Sequence, residues 1–276
     1  MPGERLEDAL AAAAELGRHG IGAVLTQLGE DVTDLAKADE VARHYTQVLT
    51  TTRAAGLDCH ISVKLSQLGL DLDAARCLAN LRVLVAQASE MKIFVWIDME
   101  QHTRVDGTLE IYRRLQPEFR HLGVCLQSYL YRTAGDLASL IPLGGGVRLV
   151  KGAYREPPTV AYPRKPDVDR NFLALSKLML SPEARAAGLR PVFGTHDRRM
   201  ISEIERHIES ISATRDACEF HLLFGIQPSE QARLARERFR VRVLISYGEE
   251  WFPWYMRRLA ERPANVLFAA KSMFSN

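Results

Sequence analysis

Short apolar runs alternate with longer stretches of helical period along the whole chain. The runs are Ile21–Leu28, Cys59–Leu65, Ile93–Met99, Gly123–Leu126, Val147–Val150, Pro191–Gly194, Cys218–Leu223 and Val241–Ile245. Each is apolar on successive residues, as strands buried on both faces tend to be, and each is short for a helix. Between them lie amphipathic segments. Leu35–Ala55 and Asp73–Met91 are long, Gly107–Leu115 and Arg198–Ser212 are shorter, and Ser229–Phe239 opens on a Ser cap. An Ala-rich helix around Leu6–Leu16 leads the chain. Strands alternating with helices predict βαβ units and a parallel sheet.

Eight such units in about 250 residues predict a (β/α)8 TIM barrel, with the leading N-terminal helix placed before it. A doubly wound sheet is the alternative, but it calls for a Gly-rich phosphate loop after the first strand. Here that strand ends in Leu28-Gly29-Glu30. Gly144-Gly145-Gly146 precedes a strand instead of following one and reads as a turn, and Pro157 through Pro166 reads as a loop. With no linker or low-complexity stretch, residues 1–276 read as a single domain.

Composition narrows the class. Hydrophobic residues at 47% and charged residues at 25% exclude a disordered, collagen-like or coiled-coil chain. Thirty-six basic against 34 acidic residues give no footprint for nucleic acid or an anionic membrane. Cys59, Cys77, Cys125 and Cys218 are widely spaced, which points to a reducing compartment and away from a zinc knuckle. No apolar run reaches the roughly 18 residues of a membrane span, and the N-terminus lacks a signal-peptide pattern. A soluble cytoplasmic protein is expected.

Polar residues follow each apolar run. Gln27 and Glu30 end the first, Lys64, Ser66 and Gln67 the second, Asp98 and Glu100 the third, and Gln127 the fourth. Arg148 and Lys151 mark the fifth, Thr195-His196-Asp197 the sixth, and His221 the seventh. A barrel's active site is built at the carboxyl ends of its strands, so these groups predict a lined pocket. Singly, each has a plain structural reading. Lys64 can snorkel at the rim, and His196 can be a satisfied core histidine. Asp98 and Glu100 alternate along a strand, so one faces inward and the other is expected to cap the next helix. His60 and His102 have no ligand-spaced partner, so no metal is expected. A second concentration is Tyr255-Met256-Arg257-Arg258-Leu259-Ala260-Glu261. Arg257 and Glu261 suit a surface pair at i,i+4, while forked arginines over a barrel mouth suit a carboxylate.

Taken in order, these motifs resemble the proline dehydrogenase family. The resemblance rests on Val63-Lys64-Leu65-Ser66-Gln67-Leu68-Gly69, Asp98-Met99-Glu100 and Leu126-Gln127-Ser128-Tyr129. It continues through Arg148-Leu149-Val150-Lys151-Gly152-Ala153-Tyr154, Thr195-His196-Asp197 and Tyr255-Met256-Arg257-Arg258-Leu259. It implies a distorted (β/α)8 barrel that holds FAD and oxidises L-proline to Δ1-pyrroline-5-carboxylate by hydride transfer to flavin N5. It places Arg148 near N5, with Gln127, Lys151, Gly152, Thr195 and His196 among the flavin contacts. Lys64, Asp98, Tyr154, Leu223, Leu244, Arg257 and Arg258 surround the substrate, with Lys64, Asp98, Arg148 and Tyr154 as the catalytic set. Glu30 is the acidic partner of Arg257 in closing the site, and Glu261 supports the charge network. The implied partners are a small cyclic amino acid and a quinone acceptor, the latter allowing peripheral contact with the inner membrane.

Some positions depart from the family pattern. Leu244 and Ser246 stand in Arg242-Val243-Leu244-Ile245-Ser246-Tyr247-Gly248 where a Tyr and a Pro are usual. His221 replaces a Gln, Thr26 stands where an Asp is common, and the chain begins without the N-terminal helices many relatives carry. The altered ring wall admits a substituted or different cyclic amino acid such as hydroxyproline. Two further alternatives are a lyase using Lys64 or Lys151 as a Schiff base and a non-catalytic binding barrel.

Overall fold

The computed structural model describes residues 1–29 and 32–252. Eight parallel strands close into a barrel in sequence order. They are β1 (Gly22–Gln27), β2 (Cys59–Val63), β3 (Val95–Ile97), β4 (Leu122–Gln127), β5 (Gly145–Val150), β6 (Leu189–Gly194), β7 (Glu219–Leu223) and β8 (Arg240–Tyr247). The seam is a parallel pairing of β1 with β8 that sets Leu25 against Ile245 and Thr26 against Ser246.

Nine α-helices occur among the described residues: α1 (Leu6–Arg18), α2 (Leu35–Ala54), α3 (Ala74–Glu90), α4 (Val105–Leu115), α5 (Thr133–Leu140), α6 (Lys165–Met179), α7 (Pro182–Ala186), α8 (Arg198–Ser210) and α9 (Pro228–Arg236). Asp34, Asp73 and Asp197 accept backbone N–H groups at the starts of α2, α3 and α8, satisfying donors that a helix leaves open. The leading helix α1 packs against β1 and β8, and the Gly248 N–H donates to the Glu4 carbonyl at 2.8 Å.

Three helices were not marked by the sequence pattern: α5, α6 and α7. Pro166 belongs to the first turn of α6, where a missing N–H costs nothing, so the loop read as ending at Pro166 ends two residues earlier. Gly145 and Gly146 already belong to β5, and only Gly144 forms the turn, at φ 67°. The third strand is shorter than the run Ile93–Met99, because pairing stops at Ile97.

Alternation along the strands divides the core in two. One apolar set lies between barrel and helices. A small inner set contains Val24, Phe94, Trp96 and Val192, with Leu244 against it. Gly123 and Gly146 make room for this aromatic slab, since a Cβ at either would come within 3 Å of the Trp96 ring. The rest of the interior is polar: His60, Ser62, Arg148, Glu219 and His221 are all buried.

Candidate active site

Two adjoining cavities open at the carboxyl ends of the strands. The larger, about 610 Å³, is lined by Arg148, Lys151, Gly152, Thr195, His196 and Leu223, with Lys165, Arg198 and Arg199 also on its wall. The smaller, about 50 Å³, is lined by Lys64, Tyr154, Thr26 and Ser246. Asp98, Met99, Ala153 and Leu244 border both. The fold therefore brings together most of the residues singled out in the sequence.

Arg148 lines the larger cavity beside Asp98, which borders both. Its Nη2 donates to Asp98 Oδ1 at 2.9 Å and to Ser62 Oγ at 3.0 Å. The guanidinium lies 5.3 Å from the Trp96 ring centroid. Burial works against its charge, but Asp98 keeps it fully protonated. Its Nη1 has no hydrogen-bond partner, which leaves a buried donor for a ligand.

Farther out, Lys151 Nζ reaches Asp197 Oδ2 at 2.7 Å and also pairs with Asp169, which pairs in turn with Lys165. Burial alone raises a carboxyl pKa, yet Lys151 holds Asp197 down at about 2. The Thr195 hydroxyl accepts the Asp197 N–H at 3.1 Å. The Leu223 N–H donates to His196 Nε2 at 3.2 Å, so the His196 ring is oriented by the end of β7.

The loop after β5 is clasped to the loop after β3. Glu156 accepts the His102 N–H at 2.8 Å, bonds His102 Nδ1, and receives the Tyr129 hydroxyl at 3.4 Å. Gly152 passes this point at φ +128°, where a Cβ would lie 2.4 Å from the Tyr129 ring. The clasp lies two residues beyond Tyr154. Neither His102 nor Glu156 stood out as part of the site in the sequence, because the carboxylate meets its partner 54 residues away.

Several expectations are placed differently. Glu100 is not a helix cap: it is buried, accepts the Ser66 N–H at 3.0 Å and pairs with Arg104. Burial raises its pKa despite Ser66, Arg104 and Lys64. Gln127 lines neither main cavity. Its Nε2 donates to the Glu100 carbonyl at 2.8 Å beside a separate small void. His221 lies one inward position below Leu223, so it forms part of the cavity floor instead of a strand end. Glu30, Arg257, Arg258 and Glu261 lie outside the described residues.

His60 does acquire partners through folding. Its donor atom, one from Glu219 and one from His221 lie within 4.8 Å of one another. Glu219 is already engaged by Arg190 at 2.6 Å and Arg242 at 3.1 Å, and His60 Nδ1 accepts from Trp96 Nε1 at 3.2 Å. Two guanidiniums on the only carboxylate make this a buried ion cluster closing the barrel floor.

A closed parallel barrel with a polar cavity at the carboxyl ends of its strands is the architecture of a barrel enzyme. A family model for proline dehydrogenase matches residues 9–271. The chain is 42% identical over 276 residues to the proline dehydrogenase of Deinococcus radiodurans, covering 98% of this chain and 87% of that protein. It is 36% identical over 271 residues to proline dehydrogenase 1 of Bacillus subtilis, covering 98% and 88%. In fold it matches proline utilization A from Bdellovibrio bacteriovorus inactivated by N-propargylglycine, with a TM-score of 0.86 at 23% identity, covering 94% of this chain. A proline utilization A with proline bound in remote sites gives 0.80 at 23% identity over 95% of this chain. The chain spans about a third of those longer proteins, 32% and 30% respectively. It belongs to the proline dehydrogenase family.

Proposed function

We propose that this chain, read as one barrel domain, oxidises L-proline to Δ1-pyrroline-5-carboxylate with FAD as the hydride acceptor. The observation that carries this reading is the Asp98–Arg148 pair, in which Asp98 borders both cavities and Arg148 lines the larger one. The donor set fits the cofactor: Arg148 offers a free buried N–H inside, Val150, Leu222 and Ile226 give an apolar wall, and Lys165, Arg198 and Arg199 offer cations for phosphates outside. FAD, when bound, supplies the two-electron acceptor that no side chain can provide.

The chain's own residues then bind and orient. Arg148, held by Asp98, would offer the bound cofactor a fixed positive charge and an N–H donor, which would favour a reduced, electron-rich ring. Lys151, Gly152, Thr195 and His196, which line the larger cavity, would hold the cofactor there. Lys64, Asp98 and Tyr154 surround the smaller cavity, which receives the cyclic amino acid, Leu244 supplies its apolar wall, and Leu223 lines the larger cavity beside it. By the motif alone, Arg257 and Arg258 would take the carboxylate through forked donors, with Glu30 as the acidic partner of Arg257 and Glu261 supporting the charge network. The substrate nitrogen must be unprotonated, so that its lone pair assists departure of the hydride. The arrangement acts chiefly by positioning the donor carbon.

Among the described residues no helix is long and apolar enough to cross a membrane. A cytoplasmic enzyme that passes electrons to a quinone at the membrane surface completes the proposal. The test is an absorption spectrum of purified protein reconstituted with FAD, followed by anaerobic addition of L-proline. A flavin spectrum that bleaches supports the reading, and a protein that takes up no flavin refutes it.

One observation favours a second substrate reading. Leu244 and Ser246 face the smaller cavity with Thr26, whereas Tyr247 turns away and bonds His44 Nε2 at 2.8 Å. Tyr247 therefore does not rebuild the aromatic wall, and the opening suits a ring bearing a substituent, such as hydroxyproline.

A further inference from the structure

His221 forms part of the floor of the larger cavity, near Arg148 and Leu223, and is 4% exposed. Its Nε2 lies 2.6 Å from Glu219 Oε1. That carboxylate also accepts a hydrogen bond from Arg190 and is ion-paired with Arg242, and although burial opposes ionisation, these partners hold it ionised far below the usual range. An ionised carboxylate only accepts hydrogen bonds. The proton of neutral His221 therefore sits on Nε2, and Nδ1 is a bare lone pair with no hydrogen-bond partner.

Each neighbouring element contributes to the charge balance at this ring. Glu219 on β7 favours protonation, while Arg148 on β5 and Arg242 on β8 oppose it, and burial pushes the imidazole down to about 4. Trp96 on β3 meets it edge-on at 5.5 Å. His60 on β2 and Arg190 on β6 complete the surround through Glu219. The oxidised site thus holds a basic nitrogen that lacks a proton chiefly because of burial and the nearby guanidiniums.

We propose that His221 is a redox-linked proton acceptor of the flavin site. When the bound ring becomes an anion on reduction, the new negative charge offsets Arg148, and His221 takes one proton on Nδ1 to become an imidazolium held by Glu219. This rests on the flavin reading above. The step balances: the neutral amine gives up a hydride and becomes an iminium, which releases its N–H proton to solvent to give the imine, the ring gains both electrons and that hydrogen, and the separate proton taken up by His221 is drawn from solvent. It returns to solvent when the electrons leave.

The test is spectroelectrochemical titration of the FAD-loaded wild type and of His221→Gln between about pH 5 and 8. For a two-electron couple each proton taken up shifts the potential by about 30 mV per pH unit, the equivalent of a tenfold change. The wild type is expected to approach about 60 mV per pH unit in the acid half of the range, with a reduced spectrum of the anionic ring, and H221Q about 30 mV. Equal slopes in the two proteins overturn the proposal, because the proton is then either absent or on the ring itself. If the variant does not fold, the wild type decides: a slope of about 30 mV throughout, or a neutral reduced ring, overturns it. A wild type that binds no flavin overturns the flavin reading and this proposal with it, whereas equal slopes in a flavin-loaded protein overturn this proposal alone.

Discussion

Asp98 Oδ1 accepts a hydrogen bond from Arg148 Nη2 at 2.9 Å, tying the residue after β3, which borders both cavities, to the middle of β5. Arg148 is almost fully buried, with its side chain 3% exposed, so its orientation depends on this pair and on Ser62. Asp98→Asn keeps an acceptor but removes the charge. Charge-assisted hydrogen bonds contribute about 1.5–3 kcal/mol, so kcat/KM for proline is expected to fall roughly tenfold to a hundredfold with flavin still bound. Steady-state kinetics beside a flavin titration check this. Unchanged kinetics place the working orientation of Arg148 elsewhere.

The Glu156 clasp predicts a separate effect. In Glu156→Ala the His102 N–H loses its partner, a loss of about 1–3 kcal/mol when the donor stays buried. The melting temperature is expected to drop by a few degrees, and KM to rise more than kcat falls, because Tyr154 lies in the released loop. Glu156→Gln, which retains acceptors, is expected to recover part of both. A variant with wild-type KM and a lowered melting point confines the clasp to stability.

Acid stability follows from the barrel floor. Burial holds His221 at about 4 and His60 well below the ordinary histidine value. Both are free to protonate near 6.5 in the unfolded chain. The unfolded state then binds more protons below that pH, so their contribution to stability is complete above about 6.5 and is lost as pH falls toward 4. Each contributes up to about 1.4 kcal/mol per pH unit in that window. Urea unfolding at several pH values measures the slope, and His221→Gln is expected to remove one proton from it. An identical slope in the variant contradicts the assignment.

The strand count and order were legible because each strand buries both faces and so reads as an apolar run. Within those runs the polar members at every second position, such as His60, Ser62 and Lys64, already marked the inward face. They were outnumbered by the apolar residues that face the helices. Arg148 and Asp98 were legible as chemistry, but their pairing was not, since it depends on barrel curvature. The His60–Glu219–His221 cluster and the His102–Glu156 clasp join distant parts of the chain, which no spacing rule reaches. Helix α6 was hidden because Pro166, a good first-turn residue, extended the impression of a loop.

Arg257 and Arg258 lie outside the described residues, and their expected role rests on the motif. Arg258→Met should leave flavin bound while raising KM for proline. The loss of charge-assisted bonds to the carboxylate corresponds to about tenfold to a hundredfold. Should KM stay at the wild-type value, a surface pairing of Arg257 with Glu261 becomes the better account of the motif.

Leu244 provides the sharpest test of substrate. It borders both cavities, and the nearest aromatic along β8, Tyr247, is 2% exposed and committed to His44 on α2. Truncated apolar contacts cost kcal/mol instead of tenths, so proline should bind less tightly here than against a Tyr wall. A ring substituent can fill the opening, and the hydroxyl-bearing residues Thr26 and Ser246 line the same cavity. Leu244→Tyr is therefore expected to raise kcat/KM for proline and lower it for hydroxyproline, measured side by side under identical acceptor conditions. Opposite movement of the two substrates supports an open wall that selects the ring. Equal loss on both would show that Leu244 is fitted to its present surroundings, and the preference for a substituted ring would have to be abandoned.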